Sequence, residues 1–245
     1  VKVHLNRALS KLGILTRSQA TRAILDGRVS VDGRVVRDPA ARVDSARARI
    51  AVDGNERRRT PWRTLLLHKP RGVLTTRRDP AGRPTVYDVV GTDANGLVPV
   101  GRLDAATTGL LLLTTDTGLA AWLTDPANQV PRLYAVTVRG RIAPDACTTL
   151  ERGVRDRGET LKAASVVLRK ASARESHLVV ELREGKNREM RRLFKALGHE
   201  VTRLKRVRFG GLALGTLAPG KWRAIDEAEL HGTFPQFRAA TVRKV

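Results

Sequence analysis

Residues 97–123 read LVPVGRLDAATTGLLLLTTDTGLAAWL. Leu97 to Val100 and Gly109 to Thr114 are apolar runs too short for a buried helix, and turn residues bound both, so each predicts a strand. Gly118 to Leu123 then predicts a helix. Upstream, Thr64 to His68 reads as a strand closed by Lys69-Pro70-Arg71-Gly72. Downstream, Leu133 to Val138, Ala163 to Leu168, His177 to Leu182 and Val201 to Phe209 continue the strand pattern, and Pro144 to Leu150 and Asn187 to Leu197 read as helices. The last is the clearest helix, with Asn187 as cap, Met190, Leu193, Phe194 and Leu197 on one face, and Gly198 as the stop. The fold class is α+β: residues 64–235 form a domain around a large mixed, mostly antiparallel sheet flanked by helices.

The first 54 residues form a separate pattern. Leu5, Ala8, Leu9 and Leu12 share one helical face, which Gly13 ends. Thr16-Arg17-Ser18-Gln19 has capping-box spacing, and Ala20, Ala23 and Ile24 give a second helix its apolar face. Val29 and Val31 alternate with polar residues, and Asp32-Gly33 supplies a two-residue hairpin turn toward Val35. The expected order is helix, helix, hairpin. Residues 55–63, with Arg57-Arg58-Arg59 and Pro61, read as a basic linker, and residues 236–245 as a basic tail.

Charge narrows the function. The 245 residues carry 46 Lys plus Arg against 24 Asp plus Glu, a net +22, and 36 of the basic residues are Arg, whose planar fork suits phosphate oxygens. A polyanion partner, nucleic acid above all, follows from that imbalance. One cysteine, Cys147, excludes an internal disulfide framework, and His4, His68, His177, His199 and His231 lack zinc-ligand spacing, so no structural metal is expected. No apolar run approaches a membrane span and Val1 to Leu15 lacks a signal-peptide pattern, so a soluble, cytoplasmic protein without a membrane partner is expected.

Two passages are more specific than composition. LVPVGRLDAATTGLLLLTTDTGLAAWL, at 97–123, and VVELREGKNREMRRLFKALGHEVTRLKRVRFGGLALGTLAPGKWRAI, at 179–225, resemble the bacterial ribosomal-RNA pseudouridine synthases of the RsuA type, as does the entry LLLHKPRGVLTT. LNRALSKLGILTRSQATRAILDGRVSVDGRVV resembles the S-four type RNA-binding domain that often precedes them. The resemblance implies an isomerase that converts a uridine of ribosomal RNA, more in the manner of large-subunit members, to pseudouridine. It implies no cofactor, a monomer, and RNA or ribosomal subunit precursors as partners.

The same resemblance assigns residues. Asp104, the aspartate of the Gly-Arg-Leu-Asp signature, takes the position of the catalytic carboxylate. Tyr134 takes that of the aromatic residue stacking on the flipped-out uracil, Leu182 that of an apolar pocket residue, and Arg191 that of the basic partner of the carboxylate, with Arg188 and Arg192 as rivals for that place. Arg102 would hold the nucleotide or the gap it leaves, and Lys69 and Pro70 match a structural motif beside the cleft. In the N-terminal module Arg17, Arg22 and Arg28 would face structured RNA.

The chemistry suits these residue types. Isomerisation adds no water, so one carboxylate suffices where glycoside hydrolysis uses two, and an apolar pocket retains the detached base. Asp104 would either attack the sugar or remove a sugar proton. An arginine nearby opposes the tendency of burial to neutralise a carboxylate. Ala106 and Thr115-Asp116-Thr117-Gly118 depart from the common pattern of an acidic residue and Asn-Asp-Gly at those places, which bears on loop shape and substrate selection. A noncatalytic RNA-binding or ribosome-assembly protein is the rival reading. A methyltransferase lacks support because no Gly-x-Gly-x-x-Gly loop follows a strand, and a DNA-binding factor because no recognition helix with a dimer element is evident.

Overall fold

The computed structural model describes residues 2–12, 14–45, 47–56 and 61–237. The expected helix stop at Gly13, the Arg57–Thr60 part of the expected linker and the expected tail from Arg238 lie outside them. The described chain divides into two compact units: residues up to Thr64 with Asn95–Val98 and Thr114–Ala120, and Leu65–Ala94 with Pro99–Leu113 and Ala121 onward.

The N-terminal module runs β1 (Lys2–His4), α1 (Leu5–Lys11), α2 (Arg17–Leu25), β2 (Val29–Val31), β3 (Arg34–Val35), β4 (Arg42–Asp44), β5 (Ile50–Val52) and β6 (Asn55–Glu56). Leu5, Ala8 and Leu9 of α1 and Ala20, Ala23 and Ile24 of α2 pack with Val29, Val43, Ile50 and Val52 into one buried core. Each buried Leu, Ile or Val contributes about 1.5–3 kcal/mol. The capping box at the start of α2 is present: the Gln19 backbone N–H donates to Thr16 Oγ1, and the Gln19 side chain accepts from the Thr16 backbone N–H. Asp32 (φ 50°) and Gly33 (φ 82°) make the two-residue turn between β2 and β3. The hairpin is part of more sheet than the sequence pattern indicates. β2 also pairs with β5, β5 with β6, and β1 with β4. Asn55 and Glu56, assigned above to the linker, therefore belong to a strand pair. Strands of two or three residues carry too little periodicity to be read.

From Thr64 onward the elements are β7 (Thr64–Lys69), α3 (Val86–Val90), β8 (Val98–Pro99), β9 (Thr108–Thr114), α4 (Thr117–Thr124), β10 (Arg132–Arg139), α5 (Asp145–Arg152), β11 (Val154–Asp156), β12 (Glu159–Leu161), β13 (Ser165–Ala171), β14 (Glu175–Leu182), α6 (Glu189–Ala196), β15 (Val201–Phe209), β16 (Leu212–Ala213), β17 (Trp222–Ile225) and α7 (Glu227–Thr233). Nine strands form one mixed sheet in the order β13-β14-β10-β15-β9-β7-β17, with β16 beside β15 and β8 beside β9. The block from β13 to β15 is antiparallel, while β15 and β9 are parallel. The α+β class and the large mixed sheet agree with the sequence reading.

Burial explains the sequence pattern strand by strand. β9 lies inside the sheet and Leu110, Leu111, Leu112 and Leu113 are all fully buried, hence an unbroken apolar run. β14 alternates buried and half-exposed residues along its whole length, as a strand with one covered face does. At the start of β9, Gly109 (φ 107°) faces Arg206 of β15, and a Cβ there would overlap the Arg206 backbone carbonyl. The helix expected from Asn187 begins instead at Glu189, because the chain enters it through Arg188 in a left-handed conformation (φ 48°) and without a side-chain cap. Asn187 is a good cap by residue type but stands one position too early. The expected strand at Leu97–Val100 shortens to Val98–Pro99.

Candidate active site

The loop between β8 and β9 carries Asp104, and the neighbouring chain fixes it at several points. The Thr75 hydroxyl donates to Leu103 O at 2.8 Å and accepts from Leu103 N–H at 3.3 Å. The Gly72 N–H donates to Ala105 O at 2.7 Å, and the Thr107 N–H closes a turn onto Asp104 O at 3.0 Å. Beneath the loop Lys69 is fully buried at the end of β7 and donates Nζ–H to Thr107 O (2.9 Å), Pro70 O (3.0 Å) and Ala105 O (3.5 Å). Burial pulls the Lys69 ammonium down to about 8, while the negative charge of Asp104 pulls it back up. The Lys-Pro-Arg-Gly segment thus works as a clamp on the Asp104 loop.

A cavity of about 170 Å³ opens beside Asp104. Its sheet wall comes from Arg132 and Tyr134 of β10, Leu182 of β14, and Leu204, Arg206 and Phe209 of β15. Leu182 pairs with Arg132 and Val180 with Tyr134 across the β14–β10 ladder. On the other side a β-bulge shifts the register, so that Tyr134 faces Arg206 while Arg132 faces Phe209. Both guanidinium groups lie over the Phe209 ring, Arg206 at 4.8 Å and Arg132 at 5.3 Å from its centroid. Arg132 also donates to the carbonyls of Arg183, Glu184 and Leu123, fixing the loop before α6, and the Arg206 Nε–H donates to Leu110 O at 2.7 Å. The opposite wall is that loop together with Arg188, Glu189, Met190 and Arg191.

Asp104, Arg102, Tyr134, Leu182 and Arg191, assigned from scattered motifs, all line this one cavity. Tyr134 is 9% exposed, a flat wall rather than a surface aromatic. The Asp104 side chain is 39% exposed, at the cavity mouth rather than buried within it. Its ion-pair contact is Arg188 Nη1 at 3.9 Å, a correction to the expected pairing with Arg191. Arg191 gives Nη1–H to Val201 O at 2.7 Å. Burial and then the like charge of Arg188 lower its affinity for the proton, and Asp104 opposes them, so Arg191 lies within the carboxylate's field without touching it. The third rival, Arg192, turns away to Asp156 and Glu159 of the β11–β12 hairpin.

The N-terminal arginines differ among themselves. Arg17 and Arg22 sit with Asn6, Ser18, Thr21 and Leu25 around an open groove of the module, and Arg22 has Asp26 at 3.3 Å. Arg28 makes a two-pronged hydrogen bond to Asp53, 2.6 Å on each prong, which raises its hold on the proton. The described residues contain no group of His, Cys, Asp or Glu able to hold a metal ion, and no helix among them is long and apolar enough to cross a membrane.

Comparison with known proteins supplies the family. Residues 63–196 match the RNA pseudouridylate synthase family, and residues 5–46 match the S4 domain. The chain belongs to the RNA pseudouridylate synthase family. It is 33% identical to an RNA pseudouridine synthase of Aquifex aeolicus over 96% of this chain and 94% of that one. It is 34% identical to ribosomal large subunit pseudouridine synthase B of Bacillus subtilis, over 92% of this chain and 93% of the relative. It is 40% identical to the protein of that name in Pseudomonas aeruginosa, over 92% and 60% respectively. Among solved structures, a pseudouridylate synthase superposes with a TM-score of 0.65 at 27% identity, covering 94% of this chain and 98% of that one. The enzyme class and the S4 module expected from the motifs are those of the family.

Arg132, Arg206, Phe209, Thr75 and Glu189 are cavity or loop residues that the sequence reading did not single out. Arg132 stands two residues before Tyr134 on the same strand face, a signal that was available. Arg206 and Phe209 were hidden: three residues apart, they share a face only because of the bulge.

Proposed function

We propose that this enzyme isomerises a uridine of large-subunit ribosomal RNA to pseudouridine, with Asp104 as the catalytic carboxylate. The observation that carries the reading is the convergence of Asp104, Arg102, Tyr134, Leu182 and Arg191 on one cavity. The Bacillus and Pseudomonas relatives, both named as large-subunit synthases, favour the large subunit.

In the reaction the ribose C1′–N1 bond breaks, a C1′–C5 bond forms, the C5 proton is lost and N1 gains one, so the atoms balance without water. A nucleotide flipped out of its stack enters the cavity, stacks on Tyr134 and recovers part of the few kcal/mol that unstacking costs. Leu182, Met190 and Leu204 present apolar surface that retains the detached base. Asp104, held on a loop pinned at Leu103, Ala105 and Thr107, faces the sugar at the mouth and either attacks it or removes a proton from it. Arg188 and Arg191 keep a positive field around the carboxylate, and Arg102, exposed in the same loop, takes the backbone or the gap left by the flipped nucleotide. Residues 1–54 act as the RNA-binding module, with Arg17, Arg22 and Arg28 toward RNA. Residues 64–235 serve as the catalytic domain. Ribosomal RNA, free or in a subunit precursor, is the partner of a cytoplasmic monomer.

Asp104→Asn tests this directly. The amide keeps the size and removes the charge, so pseudouridine formation on ribosomal RNA is expected to fall by at least about a thousandfold, or about 4 kcal/mol of barrier, with RNA affinity unchanged. Near-normal turnover by this variant would sink the assignment.

A further inference from the structure

Four buried side-chain polar atoms lack a hydrogen-bond partner among the described residues: Glu189 Oε1, Arg191 Nε, Arg206 Nη2 and His231 Nδ1. The first three belong to residues that line the cavity. An orphaned buried polar atom is costly, so three of them on residues that line one cavity point to groups that a polar ligand entering it can complete. Two of them are arginine N–H donors, which call for acceptors. The third is unexpected. Glu189 is 3% exposed at the start of α6, and its Oε2 accepts the Lys186 backbone N–H at 3.2 Å. Oε2 is thus taken as an acceptor, and Oε1 is the oxygen left without a partner.

We propose that Glu189, protonated on Oε1, donates a hydrogen bond to a carbonyl oxygen of the flipped-out uracil and so stabilises the base while it is detached from the sugar. The inference rests on the proposed reaction. When the C1′–N1 bond breaks, negative charge spreads from N1 onto the uracil carbonyl oxygens. A hydrogen-bond donor that meets this charge lowers the barrier, whereas a carboxylate in the same place would repel it. Arg206 Nη2 and Arg191 Nε are the two other unpaired atoms on residues that line the cavity, both of them donors. The electrostatic surroundings support the neutral form. Burial first, and then the charge of Glu184, push the Glu189 carboxyl up to about 7, against the Lys186 backbone N–H and the positive charges of Lys186 and Arg132. Lys186 is itself held by Glu184 at 2.7 Å, and Asp156 and Glu159 of the β11–β12 hairpin packed on α6 are taken by Arg192.

The test measures single-turnover pseudouridine formation by the full-length enzyme across neutral pH for wild type, Glu189→Ala and Glu189→Gln, with RNA affinity and thermal melting alongside. A glutamine can donate from its amide nitrogen in place of Oε1 and accept the Lys186 N–H with its oxygen, but it cannot titrate. The wild-type rate is expected to fall as pH rises through about 7. Glu189→Ala should lose about a hundredfold in rate with RNA affinity unchanged. Glu189→Gln should retain most of the rate and lose the falling limb. An infrared carboxylic-acid band that disappears through neutral pH in the wild type and is missing from Glu189→Gln should accompany this.

Wild-type turnover by Glu189→Ala, a Glu189→Gln variant as slow as the alanine one, a falling limb that survives in Glu189→Gln, or no such infrared band would each overturn the inference while leaving the reaction itself standing. If Glu189→Ala does not fold, the pH profile of Glu189→Gln decides alone. A wild-type enzyme that forms no pseudouridine would overturn the functional reading and this inference with it.

Discussion

Lys69 shows how a residue that does not itself line the cavity sets the position of Asp104, the proposed reacting group. A lysine without any exposed surface is costly, and it persists here because Pro70, Ala105 and Thr107 each offer it a carbonyl. Lys69→Met keeps the length of the side chain and removes every donor. Leaving those carbonyls unpaired costs about 1–3 kcal/mol, so a lower melting temperature and a reduced kcat at unchanged RNA affinity are expected. There is also a pH signature. The folded-state value is about 8 and the ordinary value 10.5, so between them the unfolded chain binds more protons and this lysine's contribution to stability rises with pH. Denaturant titrations across that window should show the rise in the wild type and not in Lys69→Met. Equal slopes in the two proteins would mean that Lys69 titrates normally and is not held as described.

At the scale of elements, the parallel contact of β9 and β15 joins the loop that carries Asp104 to the strand that carries Arg206. Gly109 permits it. Alanine there meets both an unfavourable φ of 107° and the Arg206 backbone, so Gly109→Ala should cost about 2–5 kcal/mol of stability, read as a lowered denaturation midpoint. A variant as stable as the wild type would show that the two strands can part without loss. The same elements show what the sequence discloses. The buried run of β9 and the alternation in β10 and β14 were legible because burial on two faces or on one writes itself into residue choice. The Gly-Arg-Leu-Asp passage was legible through wording shared with a family, for an aspartate in a turn is otherwise unremarkable. The start of α6 was misplaced because the left-handed turn at Arg188 is a tertiary constraint that overrides the capping preference of Asn187. The Arg132–Phe209–Arg206 stack went unread because the bulge between β10 and β15 breaks the period of two on which strand reading depends.

For the whole molecule, a net charge of +22 is far more than one cavity needs, and its natural use is a long track of phosphate contacts. Residues 1–54 carry 11 basic and 5 acidic residues, a share of +6 on a module with its own core. Within it Arg28 is already occupied by two short bonds to Asp53, whereas Arg17 and Arg22 border an open groove and Arg22 makes only a longer, exposed contact to Asp26. Those two should therefore carry more of the RNA affinity than Arg28. Replacing both with glutamine leaves the core and the capping box of α2 in place. If each has one phosphate contact, the slope of log K against log salt should become shallower by about 0.7 to 0.9 for each, or about 1.5 together. At saturating RNA the rate of pseudouridine formation should be unchanged, because neither side chain lines the cavity. An unaltered salt slope would move the contact elsewhere on the basic surface. A fall in the saturated rate would show that the module does more than hold RNA, since charge lost from a purely binding surface lowers occupancy and not the chemical step.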